Sequence, residues 1–458
     1  MTAPEVLIVI VNWNRREALE QLLADLRELN YSNNRVVVID NASTDGSAES
    51  VAAHFSSVRL VRNSENLGGS GGFNTGMRLA LEEGNCSYVW LLDNDVRVER
   101  EALSALVDVM EKDPAVGLAG SGILDAANPD IFVEVGARVN WGASTSLPLL
   151  KGESGQEVHE VTSADYVAAC SALVRMEALR QVGLMDEGYF LLWDDIDFGL
   201  RFRKAGWKVA GVPASRVRHA DFSLKRESPL RRYYSTRNAL YFFARHAPGL
   251  SERLKSLERA MAAVLLFRFW GYRGFSRAAT LGIRDFLAGK AGKSSRFFES
   301  ELTFRKISPR EWKGLFCRHV FLFPEALVEV APALEKLPPD PGRRVRIVAE
   351  SYKKNLFRGA GLETFCFDAL SQKSMLDCHR TIRREKPDVI LSTKAFFSPL
   401  LGLCNSFSDI LILRDEEFYI RKKDPLMPLK YLLTIALSKT LPLVLLPFVP
   451  AGKSPRPR

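Results

Sequence analysis

Tyr88-Val-Trp-Leu-Leu-Asp93-Asn94-Asp95 is the stretch that most limits what this chain can become. Five consecutive apolar residues of aromatic and branched type read as a strand buried on both faces. That strand runs straight into two carboxylates at i and i+2. Side chains two apart on an extended backbone point the same way, so Asp93 and Asp95 can address one point beyond the strand end. Hard oxygen donors in that place suit a divalent cation and the phosphates it carries. Taken alone, the pair could equally be two acids solvating a loop.

The surrounding pattern supplies the context. Val6–Val11 is an apolar run of strand type, followed by Asn12-Trp13-Asn14 and a helix with Leu at 19, 22, 23, 26 and 29, the spacing of one buried face. Asn14 and Glu17 have the spacing of a capping box. Arg35–Ile39 is a second strand ending at Asp40, and Val58–Val61 a third. Asn66-Leu-Gly-Gly-Ser-Gly-Gly-Phe-Asn74 leads into another helix. Strands alternating with helices imply an α/β fold with a doubly wound, mostly parallel sheet that binds ligands at the carboxyl edge of its strands. The glycine run is not a dinucleotide fingerprint, because Asn74 stands where G-x-G-x-x-G needs its last glycine. It reads instead as a flexible loop whose backbone N–H groups and helix start can approach an anion.

Residues 120–165 are less regular and suit either an irregular sheet or loops walling an acceptor cleft. Val167–Val174 is expected to be a strand. Farther on, Trp193-Asp194-Asp195-Ile-Asp197 places three acids beside a tryptophan at a helix start, more than a cap requires. Trp207–Val212 is a further strand, and Arg216-Val-Arg-His219 after it brings one of only six histidines, which taken alone reads more readily as structural than as a ligand. A helix from Pro229 carries aromatic and arginine faces that could hold sugar or phosphate groups, or only pack. From Ser251 to Lys293 arginines and aromatics alternate on helical segments, suiting either a membrane-surface contact or packing on the preceding domain. Pro338–Gly342 has linker composition. Beyond it, strands at 345–349, 388–392 and 409–413 suggest a small α/β unit. The apolar stretch 431–450 contains Lys439 and Pro442; a central Lys costs about 2.5–3.5 kcal/mol on insertion, which favours a packed or surface-lying segment.

Composition narrows the function. A net charge of +9 without a long basic run, zinc-finger spacing or aromatic RNA-binding signature argues against nucleic acid. Six cysteines at 86, 170, 317, 366, 378 and 404 form no C-x-x-C pair, which suits a reducing compartment. The chain opens almost at once on a strand, without signal-peptide features.

Together, Val6–Asn14, Val38-Ile-Asp40-Asn-Ala-Ser-Thr-Asp-Gly-Ser47, Asn66-Leu-Gly68, Asp93-Asn94-Asp95 and Trp193-Asp194-Asp195 resemble the family 2 inverting glycosyltransferases of the GT-A fold. Within that family they look like galactofuranosyltransferases and rhamnosyltransferases of surface-glycan synthesis. The resemblance covers about the first half of the chain. It implies that Asn12, Asp40, Asn66, Gly68, Gly69 and Asp93 bind the nucleotide and its diphosphate. Asp93, Asp95 and His219 would hold Mg²⁺ or Mn²⁺. Asp195 would be the catalytic base, crowded by Asp194 and Asp197, with Asp194 and Trp193 placing the acceptor. The galactofuranosyl type tends to have an acid in the middle of the D-x-D motif, where this chain has Asn94. Expected partners are a UDP- or dTDP-sugar donor and a glycan or lipid-linked acceptor, for a cytoplasmic protein peripheral to the inner membrane face. The competing reading is a catalytically inactive, transferase-like scaffold. The expected organisation is a GT-A domain at 1–247, a helical extension at 248–337, a linker at 338–342 and a small C-terminal α/β unit at 343–458.

Overall fold

The computed structural model describes residues 3–125, 129–219, 228–269 and 271–296. Of the C-terminal part it describes 305–306, 319–323, 343–350, 363–367, 372–385, 387, 389–392, 410–414, 417–421 and 426–445. The N-terminal elements are β1 (Val6–Asn12), α1 (Arg16–Arg27), β2 (Asn34–Asp40), α2 (Ser47–His54), β3 (Arg59–Arg62), α3 (Gly68–Glu83), β4 (Tyr88–Asp93), β5 (Val96–Val98), α4 (Ala102–Lys112) and β6 (Val116–Asp125). Then come β7 (Phe132–Glu134), β8 (Ala137–Asn140), β9 (Thr145–Pro148), β10 (Thr162–Ser163), β11 (Ser171–Arg175), α5 (Met176–Val182), α6 (Asp194–Lys204) and β12 (Lys208–His219).

The main sheet runs β10-β12-β6-β11-β4-β1-β2-β3, with β5 and β7 attached at β12 and β6. β4, β1, β2 and β3 are parallel neighbours, β6 and β12 are parallel, and β11 is inserted antiparallel between β4 and β6. This is a mixed, mostly parallel sheet. Its two faces alternate along each strand. Ile8, Ile10, Trp90 and Leu92 pack with the leucines of α1 and with α4. Val9, Val11, Val89 and Leu91 pack with Phe73 and Met77 of α3 and with Phe198 and Phe202 of α6. A sheet buried on both sides needs strands apolar at every position, which is why β1 and β4 read as continuous runs.

Two local expectations are corrected. The glycine run is not a loop: α3 begins at Gly68. A Cβ on Gly72 would lie 2.6 Å from Val11 Cγ1, and one on Gly76 2.2 Å from Val9 Cγ1, so these glycines let α3 sit close on β1. The capping box does not form. Asn14, in the left-handed region at φ 50°, accepts from Thr44 N, and the first-turn N–H of Arg16 goes to Asp45 across the gap. The described residues of 120–165 form an irregular sheet region, with the long end of β6, β7, a β8–β9 hairpin and the short β10.

After the main sheet come α7 (Pro229–His246), α8 (Leu250–Phe269) and α9 (Arg273–Leu287), and α7 packs on α9. The remaining elements are β13 (Arg305–Lys306), β14 (His319–Phe323), β15 (Arg344–Glu350), β16 (Glu363–Phe367), α10 (Gln372–Arg384), β17 (Val389–Ser392), β18 (Ile410–Arg414), β19 (Glu417–Arg421) and α11 (Met427–Leu445). Their sheet runs β13-β19-β18-β17-β14-β15-β16. β14 is bracketed by β17 and β15, so the second α/β unit draws strands from before residue 338, and a boundary at 343 is too late. The 338–342 linker itself lies outside the described residues. α11 packs against α8 and leaves Leu433, Leu437 and Leu441 exposed; residues 446–450 of the apolar stretch lie outside the described residues. Among the described residues no helix is long and apolar enough to cross a membrane.

Candidate active site

The carboxyl ends of β1, β2 and β4 lie side by side, with Asn12 in register with Asp40 and Val11 with Asp93. β12 ends at His219 beside β5. These strand ends bring together residues far apart in sequence: His219 Nε2 lies 3.3 Å from Asp95 Oδ1 and 3.6 Å from Asp93 Oδ2. One ligand atom from each of the three falls within 4.8 Å of the others. The imidazole is buried, while Asp93 keeps 37% of its side chain open. Two carboxylate oxygens and one imidazole nitrogen, open on one side, are a donor set that fits Mg²⁺ or Mn²⁺.

Asn12 is fully buried, and its Nδ2 donates to Asp40 Oδ1 (3.0 Å) and Ser43 Oγ (3.2 Å). Its Oδ1 accepts from Asn94 Nδ2 at 2.7 Å. The second Asp40 oxygen accepts from Ser43 N. The glycine pair differs from expectation. Gly68 N donates to Asn66 Oδ1 and Gly69 N to Phe190 O, so neither N–H is available to an anion in this arrangement. Gly68 is there for space and dihedral freedom: at φ 74°, a Cβ would lie 2.1 Å from Phe190 O. A Cβ on Gly69 would come within 3.4 Å of Asp194 Oδ2.

Asp194 and Asp195 open α6, immediately after a turn in which Phe190, Leu192 and Trp193 all have positive φ. Left-handed non-glycine residues cost of order 1–3 kcal/mol each and persist only where neighbours over-determine them. Here α7 is the neighbour. Asn238 Nδ2 reaches the carbonyls of Tyr189, Leu191 and Leu192, and Arg237 donates to those of Gly188 and Tyr189. The polar groups of α7 thus pin the acid-bearing turn. Trp193 is packed on Phe242 and Phe243, which Trp141 of the β8–β9 turn also contacts.

The acids of this motif divide. Burial first, then the charge of Asp195, pushes Asp194 well above the usual carboxylate range. Burial first, then the charge of Glu134, does the same to Asp195 against the pull of the Ile196 and Ala169 N–H groups. Asp197 goes the other way. Burial alone would raise it, but the His246 hydrogen bond and the charges of Arg201 and Arg245 hold it below its ordinary value. Asp197 therefore does not crowd Asp195, contrary to expectation; two positions along a helix it faces a different side. The crowding comes from Glu134 of β7, which the sequence reading missed. Glu134 is buried, its Oε1 has no hydrogen-bond partner among the described residues, and burial pushes it up to about 7. No periodic signal in residues 126–165 marks it.

Residues 7–183 match the family described as glycosyl transferase family 2. The chain is 29% identical over 232 residues to an N-acetylglucosaminyl-diphospho-decaprenol L-rhamnosyltransferase of Mycobacterium tuberculosis, covering 46% of this chain and 75% of that protein. It is 29% identical over 252 residues to the dTDP-rhamnosyl transferase RfbF of Shigella flexneri, covering 53% and 81%. Against the galactofuranosyltransferase GlfT2 of Mycobacterium tuberculosis it is 25% identical over 256 residues, 52% of this chain and 40% of that one. A solved structure of GalNAc-T7 with UDP, GalNAc and Mn²⁺ aligns with 63% of this chain and 58% of that one, at 17% identity and a TM-score of 0.46, too distant a likeness to add to the argument. The matched sequence and the acid-lined edge of the parallel strands agree, and residues 7–183 carry a domain that matches glycosyl transferase family 2.

Proposed function

We propose that this enzyme transfers rhamnose or galactofuranose, with inversion, from a UDP- or dTDP-sugar to a hydroxyl of a lipid-linked or polysaccharide acceptor in cell-surface glycan synthesis, at the cytoplasmic face of the inner membrane. The observation that carries the reading is the Asp93–Asp95–His219 cluster within electrostatic reach of the Asp194–Asp195 pair. Asp40, with Asn12 beside it, takes the nucleobase, while Asn66, Gly68 and Gly69 wall the donor site. A divalent ion held by Asp93, Asp95 and His219 would neutralise the diphosphate as its charge develops. Asp195 accepts the proton of the acceptor hydroxyl. The acceptor oxygen then attacks the anomeric carbon from the face opposite the departing nucleoside diphosphate, and a single displacement inverts that centre. Trp193 and Asp194 orient the acceptor.

The long coverage of two rhamnosyltransferases supports trying dTDP-rhamnose first. The test is hydrolysis and transfer with dTDP-rhamnose, UDP-galactofuranose and control sugar nucleotides in Mn²⁺. Selective turnover of one donor is expected. Absence of both turnover and nucleotide binding would favour the inactive scaffold.

A further inference from the structure

Asp40, Asn12 and Asn94 form a chain of side-chain hydrogen bonds whose direction is forced. A carboxylate only accepts, so Asn12 must turn its NH₂ toward Asp40 Oδ1, which it does at 3.0 Å. The carbonyl of Asn12 then faces the turn after β4, and only a donor can answer it; Asn94 Nδ2 does so at 2.7 Å. Asn12 has no exposure, so its amide has no water with which to exchange partners. The far end is also fastened, since the other Asp40 oxygen accepts from Ser43 N and Ser43 Oγ in turn accepts from Asn12 Nδ2 and Asn14 N. Asn94 stands between Asp93 and Asp95, whose carboxylates face His219.

We propose that Asn94 is a positioning residue: through Asn12 and Asp40 it fixes the turn carrying Asp93 and Asp95 in its cation-holding arrangement before any donor arrives. The inference rests on the metal reading of those residues and adds a reason for the amide at position 94. It also ties the nucleobase pocket to the cation site through side chains alone, without the diphosphate.

Two explanations of position 94 differ in sign. If only local charge mattered, Asn94→Asp would add a carboxylate beside the cation and tighten it. With the relay, an acid at 94 sets acceptor against acceptor at Asn12 Oδ1, the turn loses its anchor, and the cation is held more weakly. The experiment is titration of the nucleotide-free protein with Mn²⁺, following the free aqueous ion by electron paramagnetic resonance. Wild type is expected to bind. Asn94→Asp and the neutral Asn12→Ala, which touches no cation ligand, are each expected to bind at least tenfold more weakly. Thermal unfolding of each variant shows that it is folded, and Asn94→Ala serves if either is not. Tighter or unchanged binding in Asn94→Asp, or a wild type that binds no Mn²⁺ without nucleotide, overturns the proposal. Failure of the donor reading shows separately, as a wild type that binds Mn²⁺ but turns over no sugar nucleotide.

Discussion

Glu134→Gln removes a charge from the site with almost no change of shape, and its consequence can be worked out. Burial lifts the Glu134 carboxyl from 4.5 to about 7, with Lys151 pulling weakly the other way. Its folded-state proton affinity therefore exceeds that of the unfolded chain. Below about pH 4 both states hold the proton and nothing is lost. As the pH rises the unfolded chain releases it first, so folding loses stability until the folded protein releases it too, and is flat above that. At about 1.4 kcal/mol per unit, the whole penalty is about 3 kcal/mol. Most of it falls between pH 5 and pH 8.5, about 2–3 kcal/mol. The amide of the variant faces the same unpartnered spot as Glu134 Oε1, but that cost does not vary with pH. The assay is unfolding of both proteins at pH 5 and pH 8.5 in EDTA. The variant should gain about 2–3 kcal/mol on the wild type between the two pH values, roughly 4–12 °C for a domain of this size. The same change takes a negative charge from beside Asp195, so the acid limb of kcat/KM should move to lower pH. A gain equal at both pH values together with an unmoved acid limb would refute the reasoning.

Asp195→Asn should lower kcat by roughly 10²–10⁴-fold while leaving nucleotide affinity unchanged, measured by single-turnover transfer and by calorimetry with the nucleoside diphosphate; near-normal turnover would remove Asp195 as the base. His219→Ala takes away a buried imidazole 3.3 Å from Asp95, and Mn²⁺ affinity should fall by more than the roughly 10–100-fold typical of outer partners. Gly68→Ala combines a left-handed backbone with a Cβ 2.1 Å from Phe190 O and should cost more than about 2 kcal/mol, whereas Gly84→Ala, with open space around it, should cost only the backbone strain of about 1–2 kcal/mol. Both are read by chemical denaturation.

The features legible in the sequence are those set by short-range period. β1 and β4 announce themselves because a strand covered on both faces must be apolar throughout, and the acids at 93 and 95 follow from where that run stops. His219 was reached only through the family resemblance, because its place at the end of β12 beside β5 is set by strand pairing. The glycine run was misread because glycine has two uses, dihedral freedom and closeness, and the local pattern does not say which applies. At Gly72 and Gly76 it is closeness to Val11 and Val9, residues some sixty positions away. The antiparallel β11, inserted between β4 and β6, is likewise a property of pairing and not of the segment. Glu134 lay in a region with no period. Arg237 and Asn238 carry no mark that distinguishes a buried clamp from a solvated helix face. β14 could not be assigned because its place between β15 and β17 depends on partners on the far side of Pro338–Gly342.

The Asp194–Asp197 segment shows why an acidic motif needs its surroundings before it can be given roles. Asp195 and Asp197 are two positions apart on α6, which turns their side chains to nearly opposite sides of the helix. One side meets Glu134 and Asp93, and there the carboxyl is driven toward keeping its proton. The other meets His246, Arg201 and Arg245, and there it is driven toward giving it up. A general base near neutral pH needs the first environment, because a carboxylate held far below its ordinary value has little affinity for the proton it must take. Asp197 is fitted to a different task. Its contacts to His246 at 2.7 Å and Arg245 at 3.3 Å join α6 to α7, the helix whose Arg237 and Asn238 hold the strained turn in front of Asp194. Replacing Asp197 should therefore act through the placement of Asp195, lowering kcat without moving the acid limb in the direction that loss of a neighbouring charge would.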